Sequence, residues 1–286
     1  MSVRRTIFGL CMLCAMAFSA VVAQGASAAG QTAFTCASGG GAKDFSKAHC
    51  APADAVTPGT GSFGHVAITE ETHARLSNEK TNSTTTGPTN GTLRETIAGV
   101  ELELESTGVV EGRGILRNEE VGGVMQAYAE SNESALTFNG VIVKKPAGKG
   151  CIVREKNAGA EGVVKTRPVK GHTTVVTDKE NGEGAAEERH SVIIEPTTGT
   201  VFASFWIECS DPSVPIALQE NWEITGKVTC PTNGATINCN HNTITEANTL
   251  KGKGTKAGLQ GKATITAGKF PESEPTNPIS VTTTTP

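Results

Sequence analysis

Aromatic rings are scarce in this chain. Of its 286 residues, Tyr128 is the only tyrosine, Trp206 and Trp222 are the only tryptophans, and Phe, Trp and Tyr together make up 4%. A core of this size is feasible from Val, Ile, Leu and Ala alone. What such a chain lacks is the flat aromatic platforms that many carbohydrate binders use, which weighs against a sugar-binding cleft. Excess positive charge is missing too. The formal net charge is −4, and the densest basic run is the dilute KGKGTK from Lys251 to Lys256. That balance argues against nucleic acid or anionic lipid as the main partner. Beyond the N-terminal region no segment is apolar enough for a bilayer crossing of about 20 residues.

The familiar catalytic patterns are also missing. There is no H-E-x-x-H, and the hydrolase elbow G-x-S-x-G is approached only by GTGSFG (59–64), where Thr60 takes the first glycine position. A phosphate loop needs G-x-x-x-x-G-K-[ST], but Lys43 follows Ala42 and precedes Asp44. No stretch sustains apolar residues at i, i+3, i+4 and i+7. ETHARLSNEK (71–80) is the nearest approach to a helix, and a poor one.

The N-terminus is more informative. Arg4 and Arg5 precede an apolar run from Ile7 to Ala23, and small residues from Gly25 to Ala29 follow. A charged start, an apolar middle and an A-x-A exit describe a secretory signal peptide, with cleavage expected after Ala28. Leu10 and Leu13 before Cys11 and Cys14 speak against lipidation, which needs a small residue there. Cleavage removes two positive charges and no negative ones, taking the formal charge from −4 to −6. It also leaves six cysteines: Cys36, Cys50, Cys151, Cys209, Cys230 and Cys239. An even number in an exported chain predicts disulfides.

The first of these pairs lies in CASGGGAKDFSKAHC, from Cys36 to Cys50. Cys36, His49 and Cys50 could hold zinc, and Cys50 beside His49 could be a nucleophile. The usual C-x₂₋₄-C spacing is missing, however, and adjacent side chains point apart. A staple closing this loop would stabilise by about 3 kcal/mol. CPTNGATINC, from Cys230 to Cys239, predicts a stapled hairpin, since Asn233-Gly234 accepts positive φ. A four-residue loop from Asn233 to Thr236 would set the two cysteines opposite each other, whereas a two-residue Asn-Gly turn would offset them. Cys230, Cys239 and His241 form a weaker zinc candidate. Cys151 and Cys209 pair by elimination.

The dominant periodicity is two. VELELES (100–106) alternates Val100, Leu102 and Leu104 with Glu101, Glu103 and Glu105, placing aliphatics on one face and carboxylates on the other. Similar runs recur at 63–69, 108–117, 134–144, 151–155, 172–177, 190–195, 200–209, 222–230 and 261–268. They predict an all-β, antiparallel sandwich or barrel-like fold, disulfide-stapled, with little helix beyond the signal peptide. The expected organisation is a signal peptide at 1–28, a clasped segment at 29–76 and an exposed linker at 77–92. A main β domain at 93–270 and a Pro/Thr-rich tail at 271–286 complete it. The charged, glycine-broken DKENGEGAAEE (178–188) reads as a solvated loop, and ISVTTTT in the tail could add an edge strand.

TAFTC…GGGAKDFSKAHC, followed by TPGTGSFGHV, and the closing GATINCNHNTITEANTLKGKGTKAGLQGKATI resemble uncharacterised secreted proteins of soil actinobacteria. The similarity covers roughly residues 32–68 and 222–268 and implies an exported, β-rich protein, with no activity or site residue to carry over.

The remaining candidates are dispersed. His65 and His73 flank a strand end, His172 and His190 each begin a strand, and Glu187, Glu188 and His190 belong to an acidic stretch. Any of Glu101, Glu103 and Glu105 could be a glycosidase acid, but its partner cannot be named from sequence. Asn82, Asn90 and Asn132 head N-x-[ST] triplets. The expectation is a secreted or cell-surface, non-enzymatic β protein with a binding, adhesion or structural role. It has an extracellular or surface partner, no nucleic acid, no cofactor and no stable membrane span. Two alternatives stand beside it: a secreted hydrolase whose carboxylates and histidines meet only in three dimensions, and an extracellular metal binder.

Overall fold

A computed structural model describes residues 32–38, 41–47, 50, 52–68, 72–77, 91–97, 99–108, 110–121, 124–130, 135–155, 159–180, 183–233, 236–240, 249–253, 255–267 and 277–282. The signal segment, most of the 77–92 linker, His49, His241, Asn82, Asn90 and Asn132 lie outside the described residues. Among the described residues there is no α-helix, only two single 3₁₀ turns, Pro52–Asp54 and Ile216–Leu218. No described helix is long and apolar enough to cross a membrane.

The twenty strands run in order as follows. The first seven are β1 (Thr32–Ser38), β2 (Phe63–Ala67), β3 (Thr72–Ser77), β4 (Thr92–Ile97), β5 (Val100–Ser106), β6 (Val110–Val121) and β7 (Val124–Glu130). Then come β8 (Thr137–Asn139), β9 (Val141–Lys145), β10 (Cys151–Glu155), β11 (Val163–Lys165), β12 (Val169–Glu180), β13 (Glu183–Pro196) and β14 (Val201–Cys209). The last six are β15 (Glu220–Thr225), β16 (Val228–Asn233), β17 (Thr236–Asn240), β18 (Lys251–Gly252), β19 (Thr255–Ala267) and β20 (Asn277–Thr282). All are joined by ladder hydrogen bonds into one antiparallel network, the all-β class that the periodicity predicts.

One circuit within this network returns to its start. β3 pairs with β6, β6 with β7, β7 with β12, and β12 with β13. β13 then pairs with β16, β16 with β17, β17 with β19, and β19 again with β3. The structure as a whole is no simple closed barrel, because β19 also carries β4, β18 and β20. From β4 the network continues through β5 to β9, and from β18 through β15 and β14 to β10.

Packing follows the pleat. In β5, Leu102 and Leu104 are buried, as the alternation predicts, but Glu103 on the other face is buried too, beneath Arg94 and Lys145. The largest fully buried side chain is Trp222, whose ring lies parallel to Phe205 at 5.8 Å and whose Nε1 donates to the Leu218 carbonyl. A smaller cluster joins Ala33, Ile68, Ala74 and Leu116 where the N-terminal segment meets the circuit. Asn118 of β6 fixes that junction. Its Oδ1 accepts from the Ala33 N–H at 2.8 Å, and its Nδ2 donates to the carbonyls of Ala33 and Ile68, each at 3.0 Å.

Several sequence expectations change here. Within the 71–80 stretch weighed as a helix, the described residues Thr72–Ser77 are strand β3, held on both edges by β6 and β19. The 178–188 stretch read as a solvated loop is the far end of a hairpin, with Thr177 opposite Glu188 and Glu180 opposite Glu183. Backbone pairing is indifferent to side-chain charge, and in sequence Asn181-Gly182 is a turn-forming pair. The runs 134–144 and 222–230 each contain two strands, divided at Gly140 (φ 61°) and Gly226 (φ 103°), where L side chains are disfavoured. The tail strand β20 pairs with both β1 and β19.

The three disulfides are Cys36–Cys50, Cys151–Cys209 and Cys230–Cys239. Cys151 and Cys209 are direct partners in the β10–β14 ladder. The β16–β17 register, Thr232 to Ile237 and Asn233 to Thr236, continues to Cys230 opposite Cys239, the register of the four-residue loop.

Two outcomes are expected. Peptide mapping without reduction should recover these three pairs among the 15 possible connectivities. Replacing Cys230 and Cys239 together by serine should cost about 2–3 kcal/mol and leave a folded β protein, whereas Trp222→Ala should cost about 3–5 kcal/mol, both read from urea midpoints.

Candidate functional site

The cysteine-rich opening stretch is a clasp. Cys36 sits in β1 opposite His65 of β2, and the disulfide ties it to Cys50. The His65 ring lies between Phe34 (5.3 Å) and Phe45 (4.6 Å). Its burial lowers the imidazole pKa, and a hydrogen bond with the Cys50 backbone and the charge of Asp44 oppose that only in part. Ser62 of the near-elbow GTGSFG donates its backbone N–H to the Phe45 carbonyl and leads into β2, so no helix start follows it.

The carboxylates of β5 meet cations rather than one another. Glu101 pairs with Lys145 at 2.9 Å and Glu105 with Lys144 at 3.2 Å. Glu103, nearly buried, pairs with Arg94 at 3.2 Å and Lys145 at 3.4 Å. Desolvation pushes the Glu103 pKa up, but the hydrogen bonds and charges of Arg94 and Lys145 outweigh it and hold the carboxyl below its usual value. His172 of β12 is depressed chiefly by burial, and His190 lies apart from it on β13. Among the described residues no three of His, Cys, Asp and Glu gather at metal-binding distance. The cysteines of both zinc candidates are consumed by disulfides.

What the fold does bring together is hydrocarbon. A cavity of about 110 Å³ lies inside the eight-ladder circuit, bounded by residues from β3, β6, β12, β13, β17 and β19 together with Leu136. Two further apolar cavities of about 50 Å³ each lie beyond it, one sharing lining residues with the first and the other only with the second. The registers explain the first. Ala74 pairs with Gly114 and Leu76 with Gly112, while Gly171 pairs with Ile194, so these residues share the inward face. Three of those inward positions are glycines, and at Gly112 the Leu136 side chain packs into the room a Cβ would take. Asn118 faces the same way as Gly112, Gly114 and Leu116 along β6, and it seats the clasped N-terminal segment over that end of the circuit.

Sequence reasoning missed this concavity and missed Asn118. Gly112, Gly114 and Gly171 look like ordinary strand interruptions, and only the register of β6 and β12 sets them on one interior face.

Glu103 provides a test with a definite sign. Its folded pKa lies below the unfolded one, so its stabilisation is complete above the ordinary carboxylate range and is lost as pH falls through the folded value. Glu103→Gln should therefore lower the urea midpoint at pH 7, and the gap from the parent protein should shrink below about pH 4. A gap that is constant with pH would place the effect elsewhere than in the Arg94 and Lys145 pairs.

No family model, no curated protein and no solved structure matches this chain.

Proposed function

We propose that the protein is exported and works outside the cell as a non-enzymatic binding module, directed at an extracellular or surface molecule rather than nucleic acid. The observation that carries this reading is that the main interior concavity gathers aliphatic side chains, whereas the acids of β5 are engaged by Arg94, Lys144 and Lys145. Catalysis by carboxylates or histidines needs such groups to converge on one space with perturbed proton affinities. Here the depressed histidines His65 and His172 belong to separate places, the clasp and β12. Three disulfides suit an oxidising compartment, and the basic, apolar and small-residue order of residues 4–29 suits cleavage on export.

Material collected from the medium should begin at Ala29, within a residue or two, on N-terminal sequencing. An intact Met1 would overturn the compartment. The non-enzymatic role is tested by assaying purified protein for ester, glycoside and peptide hydrolysis alongside Glu103→Ala and His49→Ala. The expected result is no turnover in any of them. A hydrolytic activity that either substitution abolishes without unfolding the chain would overturn the proposal.

A further inference from the structure

We infer that the interior of the eight-ladder circuit holds one unbranched hydrocarbon chain, the tail of a single-chain amphiphile or of a lipid. This deepens the binding role proposed above and rests on it. Small antiparallel rings of about eight strands leave an interior that side chains fill or that one small ligand occupies. Here the wall is divided by size. Ala74, Gly112, Gly114 and Gly171 offer almost no side chain, and Val192, Ile194, Ile237 and Ile265 complete the wall, Ile194 directly beside Gly171 and Ile265 beside Leu76. Apart from Thr173, the inward-facing lining is hydrocarbon. A water molecule needs two to four polar partners, which such a wall does not supply, while apolar cavities of about 150 Å³ take up benzene-sized guests.

The three cavities together favour a chain over a compact ring. The first, about 110 Å³, shares Leu76, Leu136, Ile194 and Ile237 with a neighbour of about 50 Å³. That neighbour shares Gly91, Phe138, Phe202 and Leu259 with the third, again about 50 Å³. The three spaces thus lie in series, parted by those shared residues, Leu136 and Phe138 among them. A linear chain can follow that course once these side chains turn aside, whereas a fused ring system would stop in the first section. The clasped N-terminal segment, seated by Asn118, shields one end of the circuit.

The test uses the full oxidised protein and laurate, followed by calorimetry and by NMR with methyl-labelled isoleucine. We expect one laurate per chain, with cross-peaks from its methylenes to Ile194, Ile237 and Ile265. Gly171→Val plugs the first section. A Cβ at Gly171 would meet Val192 Cγ1 at 3.4 Å and the Ile193 carbonyl at 3.5 Å, ordinary contact distances, so the strand accepts the residue. This variant should bind laurate at least tenfold more weakly while keeping its melting temperature within a few degrees. Failure of the folded parent to bind laurate would overturn the inference. So would cross-peaks confined to the exposed Ile142 and Ile216, or undiminished binding by a folded Gly171→Val protein. If that variant does not fold, the cross-peak pattern of the parent decides alone. A parallel arm with phosphatidylglycerol vesicles identifies the source of the chain. Acyl cross-peaks to the same three isoleucines indicate a lipid tail, and signals with laurate alone indicate a free amphiphile. An exported, oxidised protein inert to hydrolase substrates that also ignores laurate would lose this inference and keep the broader binding role.

Discussion

Thirteen residues of extended backbone, Thr255 to Ala267, present two edges to five partners. Along one edge β19 pairs with β4 and then β3, and along the other with β18, β17 and β20. The eight-ladder circuit closes only because β17 and β3 meet β19 on opposite sides at Thr264. The second set of strands, from β4 to β9 and from β18 to β10, hangs from its first half. A strand with both edges occupied has no free ladder groups, and shifting it by one residue would turn every inward side chain outward. Register in β19 therefore governs whether Leu259 and Ile265 face apolar space, and through them whether any interior exists.

Local pattern carried much of the fold, and its limits are physical. VELELES and CIVRE coincide with β5 and β10 to the residue because period-two alternation or a compact β-branched run is a property of the segment itself. Cys36–Cys50 and Cys230–Cys239 were readable for a similar reason, since short spacing and turn residues make the partner local, whereas Cys151–Cys209, 58 residues apart, followed only by elimination. β3 was not readable, since THARLS has strand character only between β6 and β19. The long β12–β13 hairpin was obscured by charge, which reports solvent exposure and not backbone geometry. The interior space was least legible of all. It lies against Gly112, Gly114 and Gly171, positions about sixty residues apart that meet only through β7.

Asn118 illustrates the same limit at the level of one side chain. In sequence it is a polar residue in a charged run, RNEE. In the fold its amide satisfies three backbone groups of a segment up to 85 residues away. Buried backbone groups left without partners are costly, so one amide sets how firmly the clasped segment sits on the circuit. The disulfide Cys36–Cys50 stiffens that segment internally, but contributes nothing to its seating.

The pairing of β1 with β20 has a consequence for the order of events in the life of the chain. Phe34 and Thr35 lie beside Ser280 and Ile279, so one edge of the earliest described strand is completed by the last. Contacts between such distant residues form late, because the intervening chain must first be brought into place. During synthesis, β1 can meet β2 early but must wait for residues 277–282 before its other edge is covered. Until then that edge is an open template for other strands. A clipped or stalled product lacking the final strand would thus keep most of its core and expose an unpaired edge, a form more prone to self-association than the finished molecule.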